Sequence, residues 1–333
     1  MKFLKTLATG AIVASTMVAT SLAAEISPAV IFDMGGKFDK SFNEAAYRGA
    51  EAFKEKTGIK YREFEITNPS QREQALRNFA RRGMNPIIGI GFSQASAMEK
   101  VAKEFPDTNF AIVDAVVDQP NVRSVVFKEQ EGSYLVGIIA AMATKTGKIG
   151  FIGGMDIPLI SAFSCGYIQG AKATKPDIQI FENMTGTTPS AWNDPVKGGE
   201  LAKSQFSRGS DIVFAAAGST GLGVLQAAAD EGKLSIGVDS NQNHVQPGSV
   251  LTSMVKGVDV AVEDVFTDAM NGKFTAGLNH LGLAENAVSY AMDEYNKDLV
   301  TPKMIEAAEK AKAAIVAGEI KVHDYRSTNS CPF

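Results

Sequence analysis

The chain has 333 residues, 45% of them hydrophobic and 21% charged, which is enough apolar material for two packed cores and too much for a disordered protein. A formal charge of −4, with no clustered basic stripe, excludes nucleic acid as an expected partner. Two cysteines and three scattered histidines, without CxxC or HxxxH spacing, exclude a metal site built from them, and no cofactor is expected.

The first residues read as an export signal. Lys2 and Lys5 form a positive start, Leu7 to Val18 is a short apolar run, and Ser21 and Ala23 stand at −3 and −1 of a small-residue cleavage site. The run is too short and too rich in Ser and Thr for a membrane span. Removing residues 1–23 takes away two lysines and no acids, so the formal charge goes from −4 to −6. No cysteine follows the cut to carry a lipid, so the expected location is the periplasm, in diffusible form. For Cys165 and Cys331 two readings stand, a disulfide tying the C-terminal tail to the body or two unpaired thiols.

Apolar strands then alternate with amphipathic helices. AVIFD (29–33) is a strand, SFNEAAYRGAEAFKEKTG (41–58) a helix ended by Gly58, and KYREFEI a strand. A helix from Pro69 to Arg82, the strand NPIIGIG (85–91), a helix over 93–105 and the strand NFAIVDA (109–115) follow. VRSVVF is a further strand and EGSYLVGIIAAMATKTG a long apolar helix. Strict alternation with near-continuous apolar strands predicts parallel sheets covered on both faces.

The pattern restarts at KIGFIGG (148–154) and the helix 158–173. DIQIFENMTG, the helix DPVKGGELAKSQFSRG, DIVFAAAG, the helix TGLGVLQAAADEG and LSIGVDSN come next. In both halves a double glycine is followed by a phenylalanine seven residues before a Gly-Ala pair: Phe42 with Gly49–Ala50, and Phe163 with Gly170–Ala171. This weak repeat predicts two similar open α/β lobes with a cleft between them. After Leu251 come a helix from Val258, a strand-like HLGLAENAVSYA, and a last helix capped by Thr301, begun by Pro302 and ended by Gly318.

In open parallel sheets ligands bind beyond the carboxyl ends of the strands. The residues found there are Asp33, Asp39 and Phe42, then Phe92, then Asp114. In the second half they are Asp156, Trp192, Gly218 with Ser219, Asp239 and finally Lys256. Acids and aromatics with one lysine do not make a phosphate site, and GGKFDKS fits neither GxxxxGK[ST] nor GxGxxG.

The segments DxGGxFDKSFNE, GFIGGM, AWNDPVKGGELA, DIVFAAAGSTGLGV and GVDSNQ occur in that order. Over essentially the whole mature chain they resemble the basic membrane protein family, the purine-nucleoside-receptor-type substrate-binding proteins of ABC transporters. The resemblance implies a two-lobed periplasmic binding protein of type I-like fold with a three-segment hinge. Its expected partners are a purine nucleoside or base and an inner-membrane permease, and it is expected to be a monomer. By motif position, Phe42 and Trp192 would sandwich the base. Asp33, Asp39 and Asp114 would contact base or ribose, and Asp239 and Lys256 the ribose hydroxyls. The expected lobes are 24–125 with 252–286 and 126–251 with 287–333, crossing near Val125, Leu251 and Ala287.

Physical chemistry supports those roles: base–aromatic stacking contributes on the order of 1–3 kcal/mol per base, and carboxylates accept from ring N–H and hydroxyl groups. Each residue also has a plainer reading. Phe42 could be core, and Asp39 could only cap its helix, as Asp156 could cap the next one. Phe92 and Phe163 read as packing, Lys37 and Lys40 as solvated. A nucleoside hydrolase is the enzymatic alternative, but no GxSxG elbow, spaced triad or metal cluster is present, so a non-enzyme is expected. A receptor of the same fold for a sugar or other small polar ligand is the other alternative.

Overall fold

The computed structural model describes residues 26–333; the expected export signal, residues 1–23, lies outside them. The first half runs β1 (Ala29–Phe32), α1 (Phe42–Thr57), β2 (Arg62–Glu65), α2 (Gln71–Arg81), β3 (Ile87–Ile90), α3 (Ala95–Glu104), β4 (Phe110–Val113) and β5 (Val122–Phe127). The second runs α4 (Glu129–Ala143), β6 (Lys148–Met155), α5 (Pro158–Thr174), β7 (Gln179–Gly186), α6 (Pro195–Ser207), β8 (Ile212–Ala216), α7 (Thr220–Asp230), β9 (Leu234–Asp239) and β10 (Val250–Lys256). Then come α8 (Val258–Met270), β11 (Gly277–Leu281), β12 (Val288–Tyr290) and α9 (Pro302–Val316).

Two six-stranded sheets form, ordered β2-β1-β3-β4-β5-β11 and β7-β6-β8-β9-β10-β12. All pairings are parallel except β12 against β10. Strands β1, β3, β4 and β8 are buried at every residue. Each lies inside a sheet covered by helices on both faces, which is why these strands read as unbroken apolar runs. Edge strand β2 is exposed along its length and carries Arg62, Glu63 and Glu65, charges that discourage a further strand from pairing there. In each sheet the strand order reverses beside the first strand, at β1/β3 and β6/β8. That reversal opens a crevice at the carboxyl ends of the strands.

The lobes exchange a helix. After β5 the chain leaves the first sheet and α4 packs on α5 in the second lobe; after β10 it leaves the second sheet and α8 packs on α1 in the first. Both contacts depend on the glycine of the repeat. A Cβ on Gly49 would stand 2.1 Å from the Asp259 carbonyl oxygen of α8, and one on Gly170 would stand 2.0 Å from the Tyr134 carbonyl oxygen of α4. The Gly-Ala pairs therefore mark equivalent close crossings of helices.

Two expected boundaries need correction. Val125 and Leu251 fall inside β5 and β10, so residues 126–127 pair in the first sheet and 252–256 in the second. The chain changes lobe at Lys128 and Gly257, and a third link, 282–287, joins β11 to β12. A strand buried on both faces shows no change of pattern at its middle, so its apolar run gave no sign of where the lobe ended. Among the described residues no helix is long and apolar enough to cross a membrane. Cys165 on α5 and Cys331 near the C-terminus form a disulfide with Cα atoms 5.6 Å apart, which decides between the two readings of the cysteines.

Candidate ligand-binding site

The cleft between the lobes is lined by the seven residues given ligand roles from the sequence and by Gly218: Asp33, Asp39, Phe42 and Asp114 come from the first lobe, and Trp192, Gly218, Asp239 and Lys256 from the second. Their surroundings differ sharply. Asp33 follows β1 and is 6% exposed; its Oδ1 accepts from Arg72 Nη2 of α2 at 2.8 Å. Asp39 accepts from the backbone N–H groups of Ser41, Asn43 and Glu44 at 2.8–3.1 Å and from the Asn43 side-chain amide. It thus satisfies the otherwise unpaired donors of the first turn of α1. Burial pushes its carboxyl up to about 6 against the pull of those backbone donors, with a small further push from Asp239.

Lys256, the last residue of β10, is 2% exposed. Its Nζ donates to Asp114 Oδ2 at 2.7 Å and lies 3.6 Å from Glu129 Oε1 and 3.8 Å from Asp239 Oδ1. The rings of Phe42, Phe127 and Phe163 stand 4.9, 5.3 and 5.4 Å from the same nitrogen, within cation–π range. Burial alone would lower the Lys256 pKa, but Asp114, Asp239 and Glu129 outweigh it and hold the ammonium above its ordinary range. Burial raises Asp239, opposed by Lys256 and by the Ser41 hydroxyl, which donates to Asp239 Oδ2 at 2.7 Å. Asp114 follows the fourth strand of its sheet and Asp239 ends the fourth strand of the other, and both have positive φ, 68° and 61°.

Trp192 sits in a short 3-10 turn, Pro189–Trp192. The turn is tied down by Thr220 Oγ1 and Thr185 Oγ1, which donate to the Ala191 carbonyl at 2.8 and 2.9 Å. The next residues start α6, where Asp194 accepts from Lys197 N and Pro195 takes the first helical position. The Trp192 ring packs against β6 at Gly154: a Cβ there would fall 2.1 Å from its Cζ3. Gly218, with φ of 57°, carries the chain past the same side chain.

The lobes are bonded across the cleft. Besides the Ser41–Asp239 contact, Ser240 Oγ donates to the Ser41 carbonyl at 2.7 Å, Gln242 Nε2 to the Lys40 carbonyl at 3.1 Å and Arg48 to Ser240 Oγ at 3.1 Å. Three participants were missed or discounted in the sequence. Ser41 and Glu129 carried no signal apart from helix-start polarity, and Phe163, read as packing, lines the cleft and faces Lys256. Phe92 also lines the cleft, whereas Asp156 is exposed and does not. The arrangement offers flat apolar surfaces, carboxylate acceptors and one cation at the meeting of two lobes, which suits a small planar ligand bearing donors and hydroxyls.

A family model described as "ABC transporter substrate-binding protein PnrA-like" matches residues 26–325. The ABC transporter nucleoside-binding protein BmpA of Lactococcus lactis is 33% identical over 322 residues, 90% of this chain and 89% of the relative. An uncharacterized lipoprotein of Pyrococcus horikoshii is 34% identical over 284 residues, 80% of this chain and 68% of the relative. The crystal structure of an ABC transporter solute-binding protein from Aeropyrum pernix superposes with a TM-score of 0.84 at 28% identity, covering 91% of this chain and 95% of that one. The match spans both lobes and the cleft between them, and the chain belongs to the Bmp family of ABC transporter substrate-binding proteins.

Proposed function

We propose that this protein is the receptor of an ABC importer, taking a purine nucleoside or its base between the lobes and presenting it to a membrane permease. The observation that carries this reading is the pair of aromatic side chains reaching one cleft from opposite lobes, Phe42 and Trp192, beside the Asp114–Lys256–Asp239 cluster. The rings suit the faces of a base, and the acids with Lys256 suit vicinal hydroxyls. The L. lactis relative is described as nucleoside-binding, which supports the same class of ligand. The reading assigns no catalytic step, since binding and release complete the task. It has the mature protein work as a monomer outside the cytoplasm, diffusible in the periplasm. The P. horikoshii relative is described as a lipoprotein, so recovery of the expressed protein with the membrane fraction would overturn the diffusible form.

Trp192 is the chain's only tryptophan, and the protein therefore reports on its own cleft. The test is to strip carried-over ligand by unfolding and refolding under oxidising conditions, then follow tryptophan emission against adenosine, guanosine, cytidine, adenine and ribose. Saturable change with purine nucleosides and silence with ribose is the expected result. A flat response to all five, with no rise in Tm, would overturn the nucleoside assignment.

A further inference from the structure

The segment after α9 completes neither sheet, yet it returns to the first link between the lobes. It is fastened to α5 by the Cys165–Cys331 disulfide. A pair of hydrogen bonds fastens it again: Gln169 Nε2 donates to the His323 carbonyl at 2.9 Å, and His323 N donates to Gln169 Oε1 at 2.8 Å. Between these anchors the chain makes a single 3-10 turn, Tyr325–Ser327. There Asp324 grips Arg326 through Nε at 2.9 Å and Nη2 at 2.9 Å. The guanidinium so held reaches the inter-lobe link. Its Nη2 donates to the Phe127 carbonyl at 3.0 Å, and its Nη1 lies 3.0 Å from Glu129 Oε2.

Glu129 is fully buried, and neither of its oxygens has a well-directed hydrogen-bond donor. Its compensation is ionic and comes from two sides, Arg326 on Oε2 and Lys256 on Oε1. A carboxylate in such a place is costly unless its charge is balanced. Burial already pushes Glu129 up to about 7, and Lys256 and then Arg326 pull it back while Asp114 opposes them. Without Arg326 the acid must either take a proton or draw the Lys256 ammonium toward itself. Each alternative changes the hold on Lys256, which at present points 2.7 Å from Asp114 in the cleft.

We propose that Arg326, held in place by the Cys165–Cys331 disulfide, is a positioning residue for the ligand site, balancing one side of Glu129 so that Lys256 on the other side stays directed at Asp114 and the cleft. The tail is then a remote part of the receptor, acting through a buried acid, and reduction of one disulfide loosens it. The effect on affinity rests on reading the cleft as a nucleoside site.

The experiment compares Arg326→Gln, Arg326→Lys and the double variant Cys165→Ser/Cys331→Ser with the parent protein. Adenosine and guanosine affinities and ligand-free Tm are measured for each. The expected result is a loss of affinity on the order of tenfold, one decade of Kd, in Arg326→Gln. Recovery to within about threefold in Arg326→Lys and an intermediate loss in the cysteine variant complete the pattern. Unchanged affinity in Arg326→Gln with a lowered Tm would reduce the tail to a structural brace. If the parent binds neither nucleoside, the reading of the cleft fails, and positioning is decided without ligand by combining Arg326→Gln with Lys256→Gln. Arg326 and Lys256 balance opposite oxygens of Glu129, so Tm losses that are non-additive by more than about 2 °C in the parent and become additive in a Glu129→Gln background support the relay, and losses additive in the parent, or equally non-additive in both, overturn it. Lys256→Arg replaces Lys256→Gln in the cycle if the latter does not fold.

Discussion

The two lobes have one strand order and set an aspartate with positive φ at the same point, Asp114 after β4 and Asp239 at the end of β9. They differ in how their acids are balanced. In the first lobe Asp33 has a private cation in Arg72, and Asp39 is satisfied by the start of its own helix. Asp114 and Asp239, with Glu129, instead share Lys256, and the sharing crosses from one lobe to the other. The comparison teaches that position at a strand end is not enough to identify a binding acid. An acid with its own partner is built into its lobe. An acid whose partner comes from elsewhere has a charge balance that depends on lobe closure, and a ligand can compete for it.

The strongest way to break this comparison is to remove each cation in turn. Lys256→Met leaves three buried carboxylates without their common partner, and we expect a loss of stability on the order of 3–5 kcal/mol. Arg72→Met leaves only Asp33 unbalanced, inside one lobe, and should cost a comparable amount or less. Affinity separates the two: Lys256→Met should abolish nucleoside binding, whereas Arg72→Met should retain measurable binding. Urea unfolding and ligand titration of both variants check this. Equal losses of affinity would erase the distinction between private and shared partners.

The next effect concerns the aromatic walls. Phe42→Ala and Trp192→Ala should each weaken nucleoside binding by on the order of 1–3 kcal/mol, read by calorimetric titration. The two rings are supported differently. Phe42 stands at the start of a helix and faces Lys256, while Trp192 is backed by the bare main chain of Gly154. Gly154→Ala should therefore act as a partial loss of Trp192, because the added methyl occupies the place of the ring edge. An affinity fall of about tenfold, with a shifted tryptophan emission maximum and no comparable loss in Phe42 contacts, is the expected outcome. Unaltered emission and affinity would show that the ring does not depend on β6 for its position.

How far these features could be read without coordinates follows from the same physics. Alternating apolar strands and helices were legible because a parallel strand covered on both faces leaves an unbroken run, as in AIV of β4 or IVFAA of β8. The carboxyl ends of those strands then gave Asp33, Asp114 and Asp239 by position. Partners were not legible. Nothing near Asp33 in sequence names Arg72, and nothing in KEQEGSY separates Glu129, which is fully buried, from Glu131 two residues on, which is not. Arg326 looks like any arginine in a polar tail until the disulfide brings that tail back across α5. The change of lobe at Gly257 was hidden because β10 continues its apolar pattern through Leu251 and Met254. Sequence carries the local term of each interaction, and these were decided by contacts between distant segments.

The smallest expected effect sharpens the place of Asp39 in the comparison, since it lines the cleft yet has its partners within its own helix start. Its folded pKa is raised from 3.8 to about 6 by burial. A raised carboxyl binds its proton more tightly in the folded chain than in the unfolded one. Its contribution to stability is then fully present below the unfolded value and is lost as pH rises through about 6. Asp39→Asn is neutral at every pH, so the parent should lose ground to the variant by on the order of 2 kcal/mol between about pH 4 and about pH 6. Denaturant unfolding of both proteins across that range measures the difference directly, whatever constant penalty the amide incurs against the donors of Asn43. A difference that stays flat would mean that the N–H groups of the helix start fully offset burial. Asp39 would then titrate as it does in the unfolded chain, a cap fully absorbed by its lobe, and it would stand with Asp33 rather than with Asp114 and Asp239.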